Sequence, residues 1–103
     1  MVRGTTPTHY FTFPFDLSGV KELLISYCQK GKVKLEKRLE DITVDDTGKT
    51  ASFQLTQQET LAFAMGEVEI QCRVLVSGQK ALVSDKMNLY VEEIIRGGVI
   101  DAE

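Results

Sequence analysis

The chain has no tryptophan, one histidine, two cysteines and two prolines among 103 residues. Each scarcity removes a class of explanation. Without tryptophan there is no indole to pack on an inter-sheet disulfide, as antibody domains do. With only Tyr10, Tyr27 and Tyr90 beside the phenylalanines, the supply of rings for stacking on sugars is thin. The lone His9 and the widely spaced Cys28 and Cys72 do not make a zinc site, which needs paired cysteines or neighbouring histidines. No apolar run approaches the roughly 20 residues that span a bilayer. The opening Met1–Pro7 is followed by no apolar stretch of the length of a signal-peptide core, so no signal peptide is expected. Reduced thiols follow from that expectation, with a Cys28–Cys72 bridge between facing sheets as the sharper alternative.

The charge balance excludes more. The formal net charge is −3, which argues against a broad electrostatic grip on nucleic acid. The one basic stretch, Lys30, Lys32, Lys34, Lys37 and Arg38, is interleaved with Glu36 and Glu40 and reads as a solvated strand face. Neither a nucleic acid nor a membrane is an expected partner.

What is present is a globular composition, 43% hydrophobic and 26% charged, sized for one domain. Period-two alternation dominates, the pattern of half-buried strands. In 67–76, Val68, Ile70, Cys72, Val74 and Val76 share one face, opposite Glu67, Glu69, Gln71, Arg73 and Leu75. In 32–39, Val33, Leu35 and Leu39 share a face on which Lys37 is the exception. Phe53 and Leu55, then Met87, Leu89 and Val91, and near the start Phe11, Phe13 and Phe15, repeat the alternation. Residues 21–29 are apolar on both faces, which suits a central strand. Glycine turns at 29–32, 45–49 and 77–80 separate these runs. Thr56-Gln57-Gln58-Glu59 is a capping box and predicts one short helical turn near residues 57–63, crossing between sheets. The spacing predicts an all-β fold: an immunoglobulin-like antiparallel β-sandwich of about seven strands, with a small barrel as the alternative. Residues 1–94 form the expected domain. Residues 95–103, with Gly97-Gly98 and an acidic end, form a flexible C-terminal tail or an arm that orders against a neighbour.

No constellation carries chemistry. Cys28 and His9 lack a companion loop for an oxyanion, and His9 reads as an exposed or edge-strand polar residue. Asp41, Asp45 and Asp46 flank a glycine turn without calcium-loop spacing. Gly97-Gly98 lacks phosphate-loop spacing, and Glu92 and Glu93 face opposite ways on a strand. No catalytic residue, metal or cofactor is expected, and the chain reads as no enzyme. The phenylalanine stripe reads as core. Tyr10, Leu75, Leu82 and Tyr90 lie on nominally outer faces and form the candidate interaction surface, provided that they cluster.

Arg3-Gly4-Thr5-Thr6-Pro7-Thr8-His9, the aromatic strand after it and Pro14-Phe15-Asp16 resemble a group of short, uncharacterised prophage-encoded proteins of Gram-positive bacteria. Ile25-Ser26-Tyr27, Leu55–Leu61 and Arg73-Val74-Leu75 extend the resemblance to the strand near Tyr90. Those proteins are found among phage structural genes. The resemblance implies a non-enzymatic structural or assembly protein of a phage, tail- or baseplate-associated. Its partners would be tail or other virion proteins or a second copy of itself, and it would be made in the bacterial cytoplasm and carried in the virion. A ligand- or carbohydrate-binding sandwich, or a small regulatory binding protein, are the alternatives.

Overall fold

The computed structural model describes residues 1–76 and 80–101. It contains eight strands: β1 (Thr8–Thr12), β2 (Val20–Gln29), β3 (Lys32–Arg38), β4 (Thr43–Val44), β5 (Thr50–Gln54), β6 (Gly66–Val76), β7 (Lys80–Val83) and β8 (Met87–Val91). One helix, α1 (Gln57–Leu61), lies between β5 and β6. The predicted two-sheet antiparallel arrangement is present. The smaller sheet has the order β1-β5-β4, and the larger runs β3-β2-β6, with β7 and β8 both paired to β6. The strand beyond the expected seven is β4, only two residues long.

The long runs behave as their patterns dictate. On β6 the inward residues Val68, Ile70, Cys72 and Val74 are buried. Strand β2, apolar on both faces, is the inner strand between β3 and β6. Its Leu23, Ile25 and Tyr27 are fully buried between the sheets. The β2–β3 hairpin turns on Lys30 and Gly31, both with positive φ (52° and 78°), the turn whose twist matches that of the flanking strands. The capping box forms as read: Glu59 N–H donates to Thr56 Oγ1 at 3.1 Å, and Thr56 N–H donates to Glu59 Oε1 at 2.9 Å. Helix α1 carries the chain from the smaller sheet to the larger. The turn expected at 77–80 falls largely outside the described residues.

One face assignment changes here, because a bulge shifts the register. Between Tyr27↔Leu35 and Cys28↔Val33 the pairing slips by one residue. That turns Val33 to the outer face with Cys28, and it is 59% exposed rather than sharing the face of Leu35. Lys37 keeps the inward direction that made it an exception. Its Nζ donates to Glu59 Oε2 at 2.6 Å and lies 5.8 Å from the centre of the Phe53 ring. Burial pushes the Glu59 carboxyl up, but the hydrogen bonds from Lys37 and Thr56 and the charge of Lys37 outweigh it and hold the group below its ordinary value.

The two thiols stand on opposite faces of the larger sheet. Cys72 is opposite Ile25 and buried, whereas Cys28 is opposite Glu69 on the outer side. The bridge considered from sequence is sterically impossible without refolding a strand.

One end of the sandwich is closed by polar clamps. The buried Gln29 side chain donates to Ala64 O at 2.6 Å and accepts from Ala64 N–H at 2.8 Å. Thr60 Oγ1, also buried, donates to Thr5 O at 2.8 Å, and Arg3 donates to Leu61 O at 3.0 Å. Beneath them lie Leu55, Phe63, Val68 and Val91, all essentially inaccessible.

Candidate interaction site

The opposite end and one flank are not closed. The larger sheet is one strand wider than the smaller on the side of β7 and β8. There, a cleft of about 590 Å³ opens between β1 and the β7–β8 pair. One wall is Tyr10–Phe15, and the other is Cys72, Val74, Leu82–Asp85 and Met87. In effect the cleft is a vacant strand position beside β1.

The phenylalanine stripe builds the first wall. Phe11 stacks on Phe53 at a centroid distance of 5.8 Å, and Phe13 tilts against Phe15 at 5.7 Å. Phe11 and Phe13 are buried as core, as expected, and Phe15 is half-buried. Strand β1 makes its ladder to β5 with alternate residues. Phe13 N–H donates to Lys49 O at 2.8 Å and Leu55 N–H to Pro7 O at 2.8 Å. By alternation, His9 and Phe11 also turn their backbone groups to β5, while those of Thr8, Tyr10 and Thr12 point to the open flank. Among the described residues, no strand pairs with that edge.

The second wall owes its shape to another bulge. Gln71 and Cys72 of β6 face three residues, Ser84 to Lys86, where β7 passes into β8. The ladder survives because Ser84 supplies a side-chain acceptor: Cys72 N–H donates to Ser84 Oγ at 2.9 Å, while Ser84 N–H donates to Cys72 O at 2.9 Å. Leu82 is opposite Val74 and therefore faces the cleft. Sequence reading had put it on an outer face.

The four residues proposed as one surface separate into two groups. Tyr10 and Leu82 meet along the cleft. Leu75 and Tyr90 lie on the outer face of the larger sheet. Tyr90 is opposite Glu67, eight positions along β6 from Leu75, or roughly 25 Å. Leu75 and Tyr90 form no joint patch. Phe15, Val83 and Met87 belong to the cleft and were not singled out. Met87 carried a signal in its inward parity, but the unpaired flank it faces is a property of topology.

His9 lies on an edge strand, one of the two readings that the sequence allowed, but it is not exposed. It is half-buried between the sheets, with Nδ1 2.5 Å from the Tyr27 hydroxyl and its ring stacked on Tyr27 at 5.7 Å. Burial holds its pKa below the ordinary value, and burial raises that of Tyr27. Cys28 is on the far side of the sheet from His9, so the two form no dyad. Asp45 accepts from Thr47 Oγ1 at 2.7 Å and from Thr50 N–H at 3.2 Å, which is turn chemistry. Among the described residues no cluster of three metal-ligating side chains occurs, and no helix is long and apolar enough to cross a membrane.

No protein-family model matches the chain. No curated protein matches it in sequence. Among solved structures, the chain is similar to the V domain of amphioxus IgVJ-C2. The identity is 12% and the TM-score 0.36, over 87% of this chain and 95% of that one. At this level the likeness carries no argument about fold, ligands or partners; the two-sheet arrangement rests on the strand pairings themselves.

Proposed function

We propose that the chain is a non-enzymatic protein–protein interaction module of a phage particle or its assembly pathway, and that it grips its partner at the open flank between β1 and β7–β8. The observation that supports the module reading is the cleft. It leaves Leu82, Val83 and Met87 partly exposed at 39%, 58% and 36%, beside an unpaired strand edge. Contiguous apolar surface of this kind marks contact sites in soluble proteins. The phage setting rests on the sequence resemblance carried by Arg3–His9, Leu55–Leu61 and Arg73-Val74-Leu75.

The test has two readouts. Mass spectrometry of particles purified from an induced host carrying this gene finds the chain at stoichiometric copy number if it is a virion component. Its absence from particles, with abundance in the lysate, makes it an assembly or regulatory factor. In the same host, tagged chain captures a defined protein, and Leu82→Lys loses it. Capture that is indifferent to Leu82→Lys rejects the cleft as the contact.

A second reading, a ligand-binding sandwich, draws on the cleft volume, which lies in the range of small-molecule pockets. The ligand would be apolar, since Tyr10 is the one exposed ring on the walls available for stacking on a sugar.

A further inference from the structure

Among the described residues five strands lie at sheet edges or share one, and three of the four edges are guarded in the ways that natural sheets resist unwanted pairing. Strand β3 presents Lys32, Lys34, Glu36 and Arg38. Strand β4 is two residues long. The β7–β8 edge carries Lys80, Asp85 and Lys86 around its bulge. Its far end is covered by the N-terminal residues, where Arg3 N–H donates to Glu92 O at 3.0 Å and Glu92 N–H to Met1 O at 2.7 Å. Strand β1, Thr-His-Tyr-Phe-Thr, has no carboxylate, lysine or arginine, and its pairing with β5 runs without a bulge.

Given the open flank as the docking surface, we infer that its occupant is a single extended segment of another protein, added as a strand to β1 by backbone hydrogen bonds from Thr8, Tyr10 and Thr12. The cleft has the form such a segment needs. An added strand would lie over Leu82 and Met87, which face it from the wider sheet, so its alternate residues meet an apolar floor. The stretch beside β1 must be uncharged, because β1 offers it no opposite charge. Lys80 shares the inward direction of Leu82 and makes no ion pair among the described residues, so it favours a carboxylate at the end of the segment beside Thr12. A second copy of the domain does not fit. Pairing β1 with its own copy requires a two-fold axis normal to the sheet. The overhanging β7–β8 of one copy would then occupy the place of the other copy's larger sheet.

The experiment uses the full chain and the peptide acetyl-Thr-Val-Thr-Val-Thr-Val-Thr-Asp-amide, whose aspartate shares the face of the valines, followed by backbone amide NMR. The expected result is shifts confined to β1, β7 and β8, with slowed exchange at Tyr10 and Thr12. Tyr10→Pro removes one outward N–H while sparing the bonds to β5, and it weakens binding by about tenfold, the worth of one backbone hydrogen bond. The same peptide with lysine for each valine produces no shifts. Shifts along β3, no shifts at all, or equal binding by Tyr10→Pro of unchanged melting temperature would overturn strand addition. So would a concentration-dependent dimer broken by Tyr10→Lys, which would establish the second copy instead. Any of these leaves the module reading to stand or fall on the Leu82→Lys capture.

Discussion

The two ends of this sandwich solve the same problem in opposite ways. At the α1 end, the sheets converge on Phe63 and Leu55, and the polar groups drawn inside are largely partnered: Gln29 holds both groups of Ala64 and Thr60 holds Thr5, while Arg3 Nε is buried without a partner. At the other end the wider sheet overhangs, and Leu82, Val83 and Met87 stay partly in water. The closed end shows what this chain does when it completes its own core. The open flank shows an edge without the charges, bulge or shortness that guard its other edges. On the function proposed above, the difference assigns stability to one end and recognition to the other.

That contrast can be broken most severely at its closed end. Phe63→Ala removes a fully buried ring and is expected to cost about 3–5 kcal/mol in denaturant unfolding. Phe15→Ala, half-buried at the open end, is expected to cost under about 1.5 kcal/mol; equal losses would mean that the open flank is core. Next comes Gln29→Leu, which leaves the Ala64 N–H and C=O without partners, at a cost of about 2–3 kcal/mol by thermal or chemical melting. Tyr27→Phe, which removes the bond to His9 between the sheets, should cost about 1 kcal/mol.

The His9–Tyr27 contact also sets a pH dependence. Because burial depresses the histidine, the fold favours the neutral ring. Its contribution is complete above the free value of 6.5 and is lost as pH falls through the folded value. Wild-type melting temperature should decline as pH drops below 6.5, ahead of carboxylate titration, and His9→Gln should flatten that decline. The smallest effect belongs to the outer face: Arg73→Ala is expected to stay within about 0.5 kcal/mol.

Much of the framework was legible because alternation is a strong signal where one face is buried. The 67–76 run could be shifted by one residue only by burying Glu67, Glu69 and Arg73, and the chain adopts the readable register. The capping box at Thr56 and Glu59 was equally explicit. What could not be read were features set by neighbours. Val33 and Leu82 carry no local mark of the bulges and pairings that decide their faces. His9 shares the inward parity of Phe11 and Phe13, but its partner Tyr27, distant in sequence, carries no local mark. Of the site, Tyr10 and Leu82 were found from their apolar character. The cleft joining them exists because one sheet is a strand wider than the other, and no local pattern encodes that.

The β2–β3 hairpin closes over a two-residue turn, whereas Thr8 must find Gln54 across most of the chain between them. Local pairings form early and distant ones late, because the loop entropy is lost before the contacts compensate. Strand β1 is therefore expected to join after the β2–β3 hairpin is in place. Destabilising changes in β1 should then speed unfolding far more than they slow refolding. The strand proposed as the docking edge would then leave before the β2–β3 hairpin opens.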